Sequence, residues 1–385
     1  MVDLLLRRET FGVTCFHVKT STRFYLNNDE FKNFILDKKL PNDLDVKLDE
    51  NFSYNIVSPK LSGTQKFSFA DTFFIELTRK CNLRCKHCLN NSGLDIENSL
   101  TKKEVLELIL KLYNAGVQEI RFTGGEPLLF DGIEECITLA NSLGLKTSVG
   151  TNGTLLTEEK VEALASAGIN QIIVSLDGTK DKHDYIRGVG NFDRTMIGLK
   201  NTIKAKVDVR VNAVLMKSNK ENVIKLAKEL DKMGVKLFIR RYIQTGRAKN
   251  LTNEELDSEE YKKVKIKLHE QLNRNIRGHE LKNDNGSHSR IPLCFDIDTC
   301  RAGQRTLDIT PNGDIYPCGF LAAQGYPPFA NIRNVLDWNE FWNSIQSDTE
   351  LSNLRKNMKC YNEANNNNKC SCLAKYYGLD AEAKC

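Results

Sequence analysis

The chain has 385 residues, enough for one large catalytic domain and a smaller appended one. Its 40% hydrophobic and 27% charged residues are typical of a soluble globular protein, and no apolar run approaches the ~18 residues of a membrane span. The net charge of +5 is spread among acidic residues, so neither nucleic acid nor a membrane is indicated as a partner. The N-terminus lacks the features of a secretory signal, and we expect a cytoplasmic protein.

The main compositional signal is the set of 12 cysteines. Disulfides are disfavoured in a reducing cytoplasm, where clustered cysteines more often hold metal or do redox work. One group early in the chain consists of Cys81, Cys85 and Cys88. A second group crowds the C-terminal quarter: Cys294, Cys300, Cys318, Cys360, Cys370, Cys372 and Cys385. The two groups mark two candidate metal-binding regions.

The first 70 residues differ in pattern from the rest of the chain. The stretch 12–20 and its continuation predict two short strands, and a helix is predicted over 28–36. We interpret residues 1–70 as a small N-terminal α+β module.

From residue 73 to 242, short apolar runs alternate with amphipathic stretches, as in βα units on a parallel sheet. Six strands are predicted, over 73–77, 118–123, 146–151, 171–176, 207–215 and 236–242. Thr101-Lys-Lys-Glu104 predicts a capping box at the start of the first helix of this region. Six units favour a partial (β/α)6 TIM barrel over 71–245, and pattern alone leaves an open doubly wound sheet as the alternative.

Two further regions follow the predicted barrel. The polar stretch 246–293 predicts a helical connector with one helix near 254–275. Residues 294–385 form the predicted cysteine-rich domain, in which the asparagine-rich run 365–368 is interpreted as a spacer.

The spacing Cys81-x3-Cys85-x2-Cys88 lies directly after the first predicted barrel strand. Three thiolates can hold three irons of a 4Fe-4S cubane and leave the fourth iron without a protein ligand. Such an iron can bind a cofactor instead of only passing on electrons. A zinc site is the alternative, but zinc usually completes a four-coordinate geometry, and His87 is poorly placed as a fourth ligand.

The sequence Cys81-Asn-Leu-Arg-Cys85-Lys-His-Cys88 resembles the signature of the radical S-adenosylmethionine (SAM) superfamily. At the end of the second predicted strand, Thr123-Gly-Gly-Glu-Pro127 is similar to the GGEP motif of that superfamily. The resemblance assigns binding of the SAM amino group to Gly124, Gly125, Glu126 and Pro127. Glycine suits this role because it lets the backbone approach a ligand closely. A simple turn is the alternative.

Further positions of the resemblance follow at the ends of the next two predicted strands. It implies that Thr151, Asn152, Ser175 and Asp177 lie near the SAM carboxylate and ribose, and that Arg187 pairs with the carboxylate. The alternatives are helix-capping turns for Asn152 and Asp177 and a surface position for Arg187. All of these positions follow strand C-termini, where barrel enzymes place their sites.

The segment from Cys300 to Cys318 resembles the opening of the SPASM extension, which carries auxiliary 4Fe-4S clusters. The later cysteines depart from the family spacing, and Glu363 stands where another cysteine is expected. In one scheme, Cys294, Cys300, Cys318 and Cys372 hold cluster I, while Cys360, Cys370 and Cys385 hold cluster II with a non-cysteine ligand such as Glu363. In the other, Cys360, Cys370, Cys372 and Cys385 hold cluster II, and cluster I keeps an open iron. We favour the first, which keeps the family's ligand order; a zinc-ribbon-like tail is the third interpretation.

Many peptide-modifying members of this superfamily begin with a small winged-helix-like module that captures a leader peptide by strand addition, and residues 11–36 resemble a reduced version of it. The alternative is an edge strand and helix that only cap the barrel bottom. The resemblance implies reductive cleavage of SAM to a 5′-deoxyadenosyl radical and oxidative modification of a ribosomally made peptide, such as a thioether or carbon cross-link. A flavodoxin or ferredoxin-type protein would supply the electron.

Two rival functions remain at this point. One is a radical SAM enzyme acting on a tetrapyrrole side chain of the haem pathways, and the other is an electron-transfer iron-sulfur protein that does not use SAM. Gly319 follows Cys318 where the sulfatase-maturing branch carries an aspartate, which argues against oxidation of a serine or cysteine to an aldehyde.

Overall fold

A computed structural model of the chain describes residues 3–20, 22–41, 51–59, 67–272 and 300–364, with the single positions 44, 46 and 48. Several candidate ligands fall outside this description: Cys294, Cys370, Cys372, Cys385 and the side chains of Cys360 and Glu363. The asparagine-rich run 365–368 also lies outside it.

The N-terminal module is a four-stranded sheet with one described helix on it. Its strands are β1 (Leu4–Glu9), β2 (Gly12–His17), β3 (Thr22–Leu26) and β4 (Tyr54–Val57), in the order β3-β2-β1-β4, and α1 is Asn28–Asp37. A capping box between Asn27 and Glu30 starts α1, which buries Phe31 and Phe34 against the sheet. The predicted strands and helix correspond to β2, β3 and α1, whereas β1 and β4 were not predicted.

The large central domain is a partial barrel of parallel strands in sequential order, as the sequence predicted. Its strands are β5 (Thr72–Glu76), β6 (Glu119–Thr123), β7 (Lys146–Thr151), β8 (Gln171–Ser175), β9 (Val209–Leu215) and β10 (Lys236–Arg241). The helices between them are α2 (Lys102–Asn114), α3 (Ile133–Ser142), α4 (Glu158–Ser166), α5 (Lys180–Arg187), α6 (Asn191–Lys204) and α7 (Lys220–Lys232), and α8 (Ser258–Leu272) follows. The predicted capping box at Thr101 starts α2.

Alternation along each strand divides the sheet into two faces. One face is apolar, contributes residues such as Phe73, Ile120 and Val211 to the main core, and packs against the surrounding helices. The other face is concave and carries polar and charged side chains. The strand C-termini, where the predicted site residues lie, meet at one end of this concavity.

The C-terminal domain is joined directly to the barrel. It contains β11 (Thr306–Ile309), β12 (Asp314–Tyr316), β13 (Ala330–Asn331), α9 (Gly319–Ala323), α10 (Trp338–Gln346) and α11 (Thr349–Ala364). Strand β11 pairs in parallel with β5, with Thr306 opposite Thr72 and Ile309 opposite Ile75. The barrel sheet therefore continues as β5-β11-β12-β13, a connection that the sequence did not reveal.

A buried ion network closes the barrel bottom. The Asp71 carboxylate lies 2.8 Å from Arg7 of the N-terminal module and also accepts a hydrogen bond from Arg305. A third cation, Arg23, lies 3.7 Å from Asp71. Burial would raise the pKa of Asp71, but these arginines hold it far below its usual range. The network thus ties the module to the barrel.

Of the helices in the described ranges, none is both long and apolar enough to cross a membrane.

Candidate functional site

The three cysteines of the predicted cluster lie in one loop that leaves the end of β5. Burial raises the pKa of the Cys81 thiol to about 11, and the thiols of Cys85 and Cys88 are near enough to act in the same direction. The Cys81 sulfur accepts a hydrogen bond from the backbone N–H of Leu83 at 3.4 Å. The Cys88 sulfur accepts one from Ser92 at the same distance. The loop therefore gathers three thiols and directs N–H donors at two of them.

This donor set fits the predicted iron-sulfur cluster, because hydrogen bonds to cysteine sulfurs are a feature of such ligands. Within the ranges that the structure describes, no three His, Cys, Asp or Glu side chains are grouped to hold a single metal ion. The ligands of a cubane bind three different irons and need no such convergence. Ligation by Cys81, Cys85 and Cys88 stays a prediction that the geometry accommodates.

A buried polar network fastens the cysteine loop to the end of β8. The Asp177 carboxylate accepts hydrogen bonds from Arg187 Nε at 2.6 Å, from the His87 ring Nε2 at 2.7 Å and from the backbone N–H of Val214 at 2.8 Å. Burial would raise the pKa of Asp177, but Arg187 and His87 hold it well below its usual range. His87 is thus committed to Asp177, in agreement with its poor placement as a metal ligand.

The position of Arg187 excludes the surface alternative, because this side chain is only 9% exposed. Its Nη1 lies 3.9 Å from the Cys85 sulfur. Burial would lower the pKa of Arg187, but Asp177 and Cys85 hold it above its ordinary value. The structure therefore places a permanent cation beside a predicted cluster ligand. Pairing of Arg187 with the SAM carboxylate stays a prediction.

The Gly-Gly-Glu-Pro turn packs on the segment that leads into the cysteine loop. The N–H of Gly125 donates to the Thr78 carbonyl at 2.7 Å, and the N–H of Glu126 donates to the Lys80 carbonyl at 2.8 Å. A Cβ atom would lie 2.5 Å from the Thr78 oxygen at Gly124 and 2.2 Å from the Lys80 oxygen at Gly125. Glycine is therefore required here by backbone-to-backbone contact, in addition to any approach to a ligand. Pro127 then begins a short 3-10 helix, Pro127–Leu129.

Glu126 connects this turn to the end of β7. Its buried carboxylate accepts hydrogen bonds from the Thr151 hydroxyl at 2.7 Å and from the Asn152 backbone N–H at 2.8 Å. Burial raises the pKa of Glu126 to about 7 against the effect of these bonds. The Asn152 amide donates to Asn82 of the cysteine loop at 2.8 Å. Thr151, Asn152 and Glu126 therefore form one connected group next to the predicted cluster.

The helix-capping alternatives for two residues are wrong. Helix α4 is capped by Thr157 instead of Asn152, and the N-cap position of α5 is Thr179 instead of Asp177. Ser175 lies two residues before Asp177 on the same strand face and opposite Asn212 of β9. The structure therefore brings all the predicted SAM-site positions to one end of the barrel, while their contact with SAM stays a prediction.

Sequence reasoning missed Arg247, which lies in the 3-10 helix Gly246–Asn250 after β10. Its guanidinium donates to the Cys85 carbonyl at 2.9 Å and to the Ser92 carbonyl at 2.7 Å. Its backbone N–H donates to the Cys88 carbonyl at 3.0 Å. No sequence pattern marks this arginine, because its partners lie more than 150 positions earlier in the chain.

In the C-terminal domain, Arg355 of α11 lies near both described cysteines. Its guanidinium donates to the carbonyl of Cys300 at 2.9 Å and also to that of Ala302. Burial lowers the pKa of Arg355, and the thiols of Cys300 and Cys318 oppose this shift. The Cys318 sulfur accepts the N–H of Leu321 at the start of α9. The positive charge of Arg355 therefore lies near both Cys300 and Cys318, two predicted ligands of auxiliary cluster I.

A parallel partial barrel with a three-cysteine loop after its first strand defines a class of iron-sulfur enzyme. The family model for the radical SAM superfamily matches residues 75–230, and the model for the SPASM iron-sulfur cluster-binding domain matches residues 300–373. The chain therefore carries a radical SAM domain followed by a SPASM domain. These domains imply SAM and 4Fe-4S clusters as cofactors.

Three similar proteins illustrate the relationship. The AdoMet-dependent heme synthase of Methanosarcina barkeri is 29% identical over 293 residues, which cover 70% of this chain and 81% of that protein. The mycofactocin maturase MftC of Mycobacterium tuberculosis is 28% identical over 295 residues, covering 75% and 71%. The structure of Streptococcus suis SuiB bound to precursor peptide SuiA superimposes with a TM-score of 0.67 at 20% identity, covering 88% of this chain and 87% of SuiB. At this identity the likeness to SuiB concerns the fold.

Proposed function

We propose that this radical SAM enzyme oxidatively modifies a ribosomally synthesised peptide that it captures through its N-terminal module. The observation that carries the proposal is the four-stranded sheet of that module, fixed to the barrel bottom by the Asp71 network. Its described edge strands are β3 and β4. A disordered leader peptide has unpaired backbone groups and can add as a strand to such an edge.

Comparison with relatives supports the same substrate class. SuiB, a structure of which contains a bound precursor peptide, resembles 88% of this chain in fold. The relative MftC is called a maturase. An electron-transfer protein that does not use SAM is disfavoured, because it would need neither the Gly-Gly-Glu-Pro turn nor an iron without a protein ligand.

In the proposed mechanism, Cys81, Cys85 and Cys88 hold the first cluster, and the ends of β6, β7 and β8 form the SAM site. When bound, the clusters and SAM supply a 5′-deoxyadenosyl radical for hydrogen abstraction and an acceptor for one further substrate electron. Arg187 holds positive charge beside Cys85, and the buried Asp177 keeps that arginine oriented.

Cys300 and Cys318 would contribute ligands to an auxiliary cluster beside Arg355. The net reaction would be a two-electron oxidation in which SAM is the oxidant, so that substrate and SAM give product, 5′-deoxyadenosine, methionine and a proton. The number of auxiliary clusters belongs to this proposal, with two expected from the cysteines of the tail.

A protein reductant would dock beside the cysteine loop. Tyr185 is 55% exposed, and the ammonium groups of Lys86 and Lys182 lie 3.3 and 5.0 Å from the centre of its ring. This exposed patch is close in sequence to Cys85 and Arg187 and has the charge that an acidic flavodoxin or ferredoxin would complement. Lys86→Glu should slow SAM cleavage by reduced flavodoxin while leaving cleavage driven by dithionite unchanged.

The proposal is tested with short peptides encoded next to the gene, incubated anaerobically with the reconstituted enzyme, SAM and reductant. Mass spectrometry should show loss of two hydrogens from the peptide for each 5′-deoxyadenosine formed. Cys318→Ala should still cleave SAM but form little product, whereas Cys136→Ala, which changes a buried cysteine of α3 away from both sites, should keep the wild-type ratio. A redox-neutral product, or full product yield from Cys318→Ala, would contradict the role of the tail as electron acceptor.

A second candidate, modification of a tetrapyrrole side chain, is favoured by the heme synthase relative, of which this chain covers 81%. The same assay with an iron porphyrin carrying propionate side chains separates the two. Loss of carbon dioxide from the porphyrin, with no change in any peptide, would replace the peptide proposal.

A further inference from the structure

The concave face of the barrel carries a group of arginines that the SAM site does not use. Arg121 on β6, Arg210 on β9 and Arg240 on β10 each alternate with core residues of the same strands, so their side chains lie on the concave face. Arg210 interacts electrostatically with both of the others. The three guanidiniums therefore form a cationic group inside the barrel.

Arg210 is held in place without hydrogen bonds from its Nε and Nη2 atoms. Both atoms are buried and have no hydrogen-bond partner among the described residues. The guanidinium carbon lies 4.5 Å from the centre of the Phe238 ring, which fixes its plane. Burial lowers the pKa of Arg210 to about 9, and repulsion from Arg121 and Arg240 adds to this effect. The guanidinium remains protonated at neutral pH, and its Nε and Nη2 donors have no acceptor in the described part of the chain.

The carboxylates near this group are bound to other donors. Glu119 accepts hydrogen bonds from Arg121 at 2.9 and 3.2 Å and lies 3.6 Å from Arg23. The exposed Asp208 accepts a hydrogen bond from the Gln171 amide at 2.6 Å. A buried cation without a hydrogen-bonded partner is costly, so a chain that retains one at this position is expected to use it.

Two neutral groups on the same face also lack partners. The Ser148 hydroxyl, opposite Arg121 in the sheet register, is buried and has no hydrogen-bond partner among the described residues. The Asn212 side-chain oxygen, two residues after Arg210 on the same face, is also buried without a hydrogen-bond partner among the described residues. Arg210 and Ser148 together offer donors to an anion, and Asn212 offers an acceptor to an adjacent N–H.

We propose that this concave face binds a carboxylate group of the substrate, with Arg210 and Ser148 as donors. A guanidinium matches the planar shape of a carboxylate and can bind it through two parallel hydrogen bonds. The proposed carboxylate site is argued from the geometry of the concave face alone. That the bound carboxylate is an acidic side chain or the C-terminus of a peptide rests on the proposed function. The site lies in the first half of β7 and β9, below the strand ends that carry the predicted SAM positions, and it selects substrates that carry a carboxylate.

The test uses the full-length reconstituted protein and glutarate as the probe, with neutral glutaramide as its isostere at constant ionic strength. Glutarate should raise the melting temperature of the wild-type protein, and glutaramide should not. Arg210→Gln should weaken glutarate binding by about ten- to a hundredfold, as expected for loss of a charged hydrogen bond. Arg241→Gln is the matched control, because Arg241 lies on the neighbouring strand β10, opposite the core residue Leu215, with its guanidinium over the Tyr261 ring and outside the proposed site. Equal glutarate binding by the wild type and Arg210→Gln would overturn the proposal.

A stability measurement without any probe separates this role from a structural one. Arg210→Gln removes a buried cation whose donors lack partners, so its melting temperature should equal or exceed that of the wild type. A variant that unfolds or melts at a lower temperature would show that Arg210 stabilises the fold, and the proposal would fall.

Competition distinguishes the source of the carboxylate. Displacement of glutarate by an acidic precursor peptide, but not by its Gln-substituted form, supports a peptide carboxylate. Displacement by a propionate-bearing porphyrin supports the same site with the rival substrate, so that the peptide function fails and the site stands. A peptide modified by Arg210→Gln with unchanged KM would leave the peptide function standing and overturn the site.

Discussion

Replacing Asp177 with Asn tests whether the buried network on β8 holds the cysteine loop. The carboxylate accepts hydrogen bonds from His87 and Val214 and compensates the charge of Arg187 at 2.6 Å, and its own exposed fraction is 0%. Asn keeps the size of the side chain but removes the charge. Breaking a buried ion pair from one side typically costs about 3–5 kcal/mol, because the other charge is left uncompensated.

The expected result is a fall in melting temperature of about 4–6 °C for the protein without iron, since a chain of 385 residues has a large unfolding entropy. Calorimetry measures this directly, and the iron content after anaerobic reconstitution should fall as well because His87 no longer anchors the loop. Asp181→Asn is the matched control, since Asp181 lies in the first turn of α5 and contributes at most about 1 kcal/mol through the helix dipole.

If Asp177→Asn melts within about 2 °C of the wild type and takes up full iron, the network does not hold the loop. His87→Gln separates the two bonds. It should cost only about 0.5–1.5 kcal/mol, because Arg187 keeps its counter-charge.

Three further predictions concern other contacts. Arg247→Lys should lower iron retention during gel filtration, because one ammonium cannot replace donors to two carbonyls of the loop, and unchanged retention would contradict its anchoring role. Gly125→Ala should prevent stable folding or iron uptake, because its Cβ would lie 2.2 Å from a backbone oxygen, whereas Gly325→Ala, with nothing within 4 Å, should only lose a little stability to its positive φ. Arg333 lowers the pKa of Glu104 to about 2, so Glu104 stabilises the fold above its usual pKa and loses this effect as pH falls towards 2. The melting-temperature difference between wild type and Glu104→Gln should therefore be present at neutral pH and vanish in acid; because the pair is partly exposed, we expect at most about 1 kcal/mol.

Much of the fold could be predicted from patterns among neighbouring residues in the sequence. The strands of the barrel are apolar runs with period two, and the start of α2 is marked by Thr101 and Glu104, so both could be predicted from neighbouring residues. The strand β1 was missed because its apolar residues Leu4 to Leu6 form only a short run at the chain start. The strand β11 was missed because its pairing with β5 depends on residues more than 230 positions away.

The candidate site also combines features that short sequence patterns predict with contacts between residues far apart in the chain. The cysteine spacing and the Gly-Gly-Glu-Pro turn are short-range patterns and were visible in the sequence. The partner of His87 is Asp177, 90 positions later, and the carbonyls bound by Arg247 belong to a loop on another strand. Such pairings arise only when strand ends meet in space, so no spacing rule predicts them. The arginines of the concave face were hidden for a related reason, because a charged residue in a strand looks like a solvent-facing position until the sheet curves.

The parallel pairing of β11 with β5 bears on how this protein could be divided. A truncation before residue 300 would remove the neighbour of β5 and leave a row of backbone donors and acceptors open along a central strand. Open strand edges of this kind recruit other chains, so the shortened barrel is expected to aggregate. The strand that leads into the first cysteine loop, β5, is paired in parallel with β11, and β11 is paired antiparallel with β12, the strand that directly precedes Cys318. The two cysteine regions are therefore spaced by a hydrogen-bonded ladder, and the length of the segment joining β10 to β11 can vary without changing the distance between them.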